Sequence, residues 1–418
     1  MMNRRSRLVG LLLLALLVGL AGGVLLDRQV LFAVAPPGSV PAAAEPEFQL
    51  MAEAWNTIQR DYVDRAAVQP RRLTYGAVSG MVSALGDVGH SRFLDPQMVQ
   101  QQRDFTRGKF EGIGAYVEMK DGHVVVVAPM DGSPAQQAGL RPGDVIMKVD
   151  GENVAGLPLD QVVGRIMGPA GTPVTLTILH SGTGRMQDVT LVRANITLDS
   201  VTWQRLPGTT VAHLRIVAFS QGVAGDLKQT LAEIQQAELA GLVLDLRANP
   251  GGLLDEAVST ASQFLDTGDV LLVKDAQGQT TPIPVEPGGV ATGIPLVVLI
   301  NGGTASAAEI VAGALQDAQR AKLVGETTFG TGTVLNEFPL SDGSVLLLAT
   351  QEWLTPKGRV IWHQGLSPDV TVSLPPDVAP LLPATERDLT PAQLQNSGDV
   401  QVLRALELLT GSTDVQTP

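Results

Sequence analysis

Ser306 has the setting that most suggests chemistry. It follows an apolar run at 296–300, which reads as a buried strand, and the turn Asn301-Gly302-Gly303; a helical pattern begins at 305 and runs to 315. The first N–H groups of a helix lack intrahelical partners and carry partial positive charge. A serine placed there sits beside donors suited to an alkoxide or a tetrahedral oxyanion. Serine is also a favoured helix N-cap, and this stretch alone leaves cap and nucleophile both open.

A second glycine turn favours the chemical reading. Residues 241–246 form another short apolar run, which leads through Arg247-Ala248-Asn249-Pro250-Gly251-Gly252 into a helical pattern over 253–265. Paired glycines let backbone approach a ligand closely. Two successive strand-turn-helix units can aim N–H donors at one carbonyl oxygen, as acyl transfer requires.

The elements that position these turns fall into three groups. Residues 196–375 alternate strands, near 210–217, 242–246, 296–300 and 345–350, with helices, which predicts a mostly parallel layered sheet. Residues 108–195 carry short strands at 112–117, 124–127, 145–149 and 174–179, with helices at 134–138 and 159–166. Residues 45–107 show helical periodicity at 48–62, where Leu50, Ala54, Trp55 and Ile58 share a face, and again at 73–85 and 96–106. A proline-rich stretch then opens the 376–418 segment, whose last helix, 400–409, is placed to dock back or to support a homo-oligomer.

With these motifs in view, the chain resembles the tail-specific, or C-terminal processing, serine peptidases of the S41 type. The resemblance rests on Leu85-Gly86-Asp87 with Phe93-Leu94-Asp95-Pro96, on Gly112-Ile113-Gly114, on Asp245-Leu246-Arg247 with Asn249-Pro250-Gly251-Gly252, and on Thr304-Ala305-Ser306-Ala307. It continues through Ala314-Leu315-Gln316-Asp317, Val324-Gly325-Glu326-Thr327-Thr328-Phe329-Gly330, Thr355-Pro356 and Pro368-Asp369-Val370. It implies a multidomain α/β fold: a ClpP/crotonase-like peptidase core, an inserted PDZ-like domain, an N-terminal helical region and a membrane anchor. Ser306 would be the nucleophile, with the N–H groups of Gly252 and Ala307 as oxyanion donors. In the PDZ-like module, Ile113, Gly114 and Ala115 would hold the terminal carboxylate of a peptide that adds as a strand. Val162 and Ile166 are placed either to line the pocket for its last side chain or to fill the core.

One departure bears on mechanism. The family's general base is a lysine, and here Thr331 occupies its place; the glutamine that orients that lysine is replaced by Leu335. A base must offer a lone pair at an accessible pKa, which a threonine hydroxyl does not. His363, in Trp362-His363-Gln364-Gly365, is the speculative substitute because imidazole titrates near neutrality; Lys357 sits in a turn-like Pro356-Lys357-Gly358. Two functions follow: an exported serine endopeptidase with another base, or a peptidase fold that binds protein tails as a scaffold or regulator.

Composition narrows the rest. A net charge of -13 argues against nucleic acid as the main partner, and the absence of cysteine excludes disulfides and thiolate sites. The five histidines show no metal-ligand spacing, and neither metal nor cofactor is expected. Arg4, Arg5 and Arg7 precede an uncharged stretch at 8–26, long enough for a bilayer core. Residues 1–35 therefore read as a membrane anchor with the body extracytoplasmic, or as a signal segment cleaved near Ala33-Val34-Ala35, which would leave the protein secreted.

Overall fold

The computed structural model describes residues 40–411 apart from 88–89, 121, 131–132, 142, 158, 181–183, 198–199, 376–377 and 379. The apolar stretch 8–26 and its flanks lie outside the described residues. Among the described residues no helix is long and apolar enough to cross a membrane.

The chain forms two compact units, one through Ala77 and one from Val78. The first holds helix Glu45–Asp61, whose first turn carries Pro46 and two acidic residues that suit a helix N-terminus. Its apolar face buries nothing; Phe48, Leu50, Met51 and Ile58 are exposed.

In the second unit, helix Pro96–Thr106 starts where Asp95 accepts from the Met98 N–H at 2.8 Å, a side-chain N-cap. Lys109–Gly112 then pairs antiparallel with Ala194–Thr197, so the segment between them enters and leaves at one point. That segment is an antiparallel sheet ordered Ala115–Lys120, His123–Pro129, Val145–Val149, Pro173–Leu179 and Met186–Val192. Strand alternation decides its faces: Val174, Leu176 and Ile178 are buried, while Thr175 and Thr177 bond across to Thr190 and Asp188. Val162 and Ile166, on helix Leu159–Ile166, belong to this buried core rather than to an open pocket.

The mostly parallel sheet runs Val201–Arg205, Val211–Ile216, Gly241–Asp245, Leu296–Ile300, Lys322–Gly325 and Val370–Thr371. All its neighbours are parallel except the first pair. Its central strands are apolar throughout because both faces are covered. Helices Val223–Gln236, Leu254–Ser262 and Ala307–Asp317 pack one face, and the C-terminal helix Val400–Thr410 docks on the other against Val243, Val297 and Leu299.

One expectation is corrected. The strand expected at 345–350 is Val345–Leu354, and it lies outside the parallel sheet. It is the centre of a second, antiparallel sheet with Arg92–Leu94, Asp269–Lys274, Thr280–Pro284 and Thr333–Pro339. Arg92–Leu94 lies within the 45–107 region expected to be a helical entry domain, and Ser91 just before it is bonded to this sheet through the Ala349 N–H.

Candidate active site

Two parallel neighbours, Gly241–Asp245 and Leu296–Ile300, end side by side, and their turns are stitched together by polar contacts. Asn301 Oδ1 accepts from the Ala248 N–H at 2.8 Å, and Thr304 Oγ1 donates to the Leu246 carbonyl at 2.8 Å. The Ala305 N–H donates to the Asn249 carbonyl at 2.9 Å. Asn249 is fully buried; its Nδ2 donates to the Ile216 carbonyl and its Oδ1 accepts from the Gly251 N–H, each at 2.8 Å.

Ser306 emerges from this stitching with φ 54° and ψ -120°, a conformation that costs a non-glycine residue free energy and persists only where its surroundings impose it. Glu309 imposes it. This buried carboxylate accepts the Ser306 N–H at 2.9 Å, along with N–H groups of Gly330 at 2.8 Å and Thr331 at 2.9 Å and the Thr328 hydroxyl. Burial pushes the Glu309 carboxyl upward in pKa, and its four donors oppose that shift. The Ser306 hydroxyl makes no side-chain cap bond.

Gly251 is pressed against the serine. A Cβ there would lie 2.6 Å from the Ser306 Cβ and 2.9 Å from the Ala307 nitrogen. Its φ of 95° is also one that side-chain-bearing residues rarely adopt. Among the described residues neither the Gly252 nor the Ala307 N–H donates a hydrogen bond. Two free donors flanking a strained serine can receive the oxygen of a tetrahedral intermediate.

The turn is braced from behind by buried charge. Asp245 accepts from Arg247 Nη2 at 2.8 Å and Arg215 Nη1 at 3.2 Å, and Arg247 Nη1 also reaches Asp399 at 3.0 Å. Burial works against the Asp245 charge, but the two guanidiniums outweigh it and hold the carboxyl well below its usual range. His213 sits between Glu386 at 2.6 Å and Asp245 at 3.2 Å; burial disfavours its charge, yet the carboxylates raise it to about 9.

The remaining expected residues are placed as follows. Thr331 is buried in the loop clamped by Glu309, with Gly332 backed so closely on Trp362 that a Cβ would fall 2.2 Å from its nitrogen. Leu335 packs against Leu94, Val99, Val345 and Leu347 in a small apolar cluster. His363 is exposed; its ring stacks on Trp362 with centroids 4.8 Å apart, and its N–H donates to the Gly330 carbonyl at 2.9 Å. No hydrogen bond joins it to Ser306 among the described residues. Ile113 and Gly114 link Lys109–Gly112 to the edge strand Ala115–Lys120, which Ala115 opens; their carbonyls accept from Ala135 and Met130.

Sequence reasoning missed Glu309, although Ser306-Ala307-Ala308-Glu309 is a capping-box pattern. It also passed over His90 as a candidate for the site, which is taken up below.

Comparison with known proteins decides the family. Residues 210–372 match peptidase family S41, and residues 125–179 match a PDZ domain. The carboxyl-terminal-processing protease of Synechocystis sp. is 34% identical over 401 residues, covering 90% of this chain and 91% of that one. The chain belongs to peptidase family S41. A second relative, the carboxy-terminal-processing protease of Bartonella bacilliformis, is 39% identical over 310 residues, 73% of this chain and 70% of its own. Among solved structures, the photosystem II D1 C-terminal processing protease superposes with a TM-score of 0.56 at 33% identity, covering 81% of this chain and 96% of that one.

Proposed function

We propose that this chain is a serine endopeptidase that takes protein C-terminal tails on its PDZ domain and cleaves through an acyl-enzyme on Ser306. The observation that carries this reading is the strained Ser306 turn, with two unpaired N–H groups beside it. Ser306 Oγ attacks the scissile carbonyl, the N–H groups of Gly252 and Ala307 hold the oxyanion, the amine departs, and water releases the acid. The tail binds by adding a strand to the free edge of Ala115–Lys120, its carboxylate held at Ile113, Gly114 and Ala115. The names of the relatives, which process carboxyl termini, favour this substrate class. Arg4, Arg5, Arg7 and the apolar stretch 8–26 support an extracytoplasmic body anchored at the membrane, or a secreted one after cleavage.

The test is cleavage of an unfolded protein together with labelling by a fluorophosphonate. Wild type should do both and Ser306→Ala neither, with the fold unchanged; equal cleavage by the two proteins would remove Ser306 from the mechanism. A second reading, a tail-binding scaffold, is favoured by Thr331 and by the apolar packing of Leu335. It stands if neither wild type nor Thr331→Lys/Leu335→Gln cleaves in a Ser306-dependent way.

A further inference from the structure

An imidazole other than His363 is built against Phe329, in the loop that shares Glu309 with Ser306. His90 is 2% exposed, and its Nδ1 lies 2.9 Å from Asp87 Oδ1. A carboxylate only accepts, so that hydrogen bond puts the proton on Nδ1 and leaves the lone pair on Nε2. The Trp362 Nε1–H donates towards the same Nδ1 from 3.3 Å and so competes with Asp87 for it; the nearer, charged acceptor at 2.9 Å decides for the proton on Nδ1. Among the described residues Nε2 is buried with no hydrogen-bond partner, a costly state for a polar atom held only to support structure.

Asp87 and His90 are held by further bonds, and the ring meets the 328–331 loop that shares Glu309 with Ser306. Asp87 also accepts from the Ser91 N–H at 3.0 Å and its hydroxyl at 2.6 Å, and the same hydroxyl accepts from the Ala349 N–H at 2.9 Å. The strand Arg92–Leu94 then fixes the segment to the antiparallel sheet. The His90 ring meets Phe329 edge-on at 6.0 Å and His363 at 5.7 Å between centroids. Phe329 donates its N–H to the Thr304 carbonyl at 2.9 Å, while Gly330 and Thr331 share Glu309 with Ser306. His90 therefore packs on residues whose next contacts are the Ser306 turn itself.

We propose that His90, oriented by Asp87, is the general base that replaces the lysine missing at Thr331. This rests on the peptidase reading above. Nε2 takes the Ser306 hydroxyl proton as Oγ bonds to the scissile carbon and the carbonyl electron pair moves onto the oxyanion. The imidazolium then gives that proton to the departing amine as the C–N bond breaks. In deacylation Nε2 takes a proton from water, the hydroxide adds to the acyl carbon, and Ser306 recovers its proton as the ester breaks. His363 closes the outer side of the His90 ring, and Asp87 and His363 are the titratable groups facing it.

The full chain serves for the test, with an unfolded protein as substrate. His90→Ala should lower the Ser306-dependent rate by about 100-fold or more, while His363→Ala stays within a few-fold of wild type, in the range of packing changes. Added imidazole should restore part of the His90→Ala rate, which a structural role would not allow. His90→Gln, which keeps a donor towards Asp87, covers the case in which His90→Ala fails to fold; it should be as slow as His90→Ala and lose the acid limb of the pH–rate profile. Wild-type rate and acid limb in His90→Gln, with Ser306→Ala inactive, would place the base elsewhere and leave the peptidase reading standing. Absence of Ser306-dependent cleavage in wild type would overturn both.

Discussion

Ser306 and Thr331 donate their backbone N–H groups to the same oxygen of Glu309, each at 2.9 Å. Thr331, where the resemblance puts a lysine, is thus tied to the serine by main-chain bonds, which do not depend on the side chain at 331. A lysine can be lost there without unfastening the loop. The scaffold for catalysis is held separately from the choice of base.

Gly251 should tolerate no side chain. In Gly251→Ala the new methyl meets Ser306 Cβ at 2.6 Å and the Ala305 carbonyl oxygen at 2.8 Å, in a left-handed conformation. The expected cost is about 1–3 kcal/mol in urea unfolding, with loss of fluorophosphonate labelling. Wild-type labelling in the variant would mean the turn is looser than described.

Leu335→Gln should destabilise by about 1–3 kcal/mol, because an amide would enter the cluster of Leu94, Val99, Val345 and Leu347. Denaturant midpoints for wild type and variant measure this. An unchanged midpoint would show that the side chain escapes to solvent.

A peptide ending in a free carboxylate after apolar residues should bind at least about tenfold tighter than its amidated twin, as expected when a charged acceptor loses its N–H donors. Isothermal titration against the full protein measures the ratio. Equal affinities would exclude carboxylate capture at Ile113, Gly114 and Ala115.

His213 ties stability to alkaline pH. Its pKa rises from 6.5 to about 9 on folding, so the folded chain keeps this proton longer than the unfolded one. The stabilisation is full below 6.5, falls as pH rises towards 9 and is lost beyond it; its size is on the order of 3 kcal/mol. The melting temperature should decline over that window, and His213→Gln should remove most of the slope. A flat wild-type profile across the window would contradict the burial of a charged His213.

Much of the fold was legible because local signals agreed. Helix Pro96–Thr106 carries its own Asp95 cap, and Leu296–Ile300 is a pure apolar run between a proline and a glycine turn. The placement of Gly252 and Ser306 in strand-to-helix turns, and of Ala307 at a helix start, was legible for the same reason. The antiparallel sheet was not, since Thr333–Pro339 places Asn336 and Glu337 in solvent and its partner announces no sheet of its own. The pairing of His90 with Asp87 is local, but its contact with Trp362 spans 272 residues, a distance no periodicity encodes.

The bond from Arg247 to Asp399 joins positions 152 residues apart. During synthesis, which runs from the N-terminus, Arg247 has no buried carboxylate on its far side until residue 399 has emerged, so the brace behind the Gly251-Gly252 turn is completed last. A nascent or C-terminally clipped chain leaves Arg247 with Asp245 as its counter-charge but with Nη1 lacking the Asp399 carboxylate, an unmade buried hydrogen bond that costs about 1–3 kcal/mol. Translation through residue 399 is thereby built into the conditions for a finished Gly251-Gly252 turn.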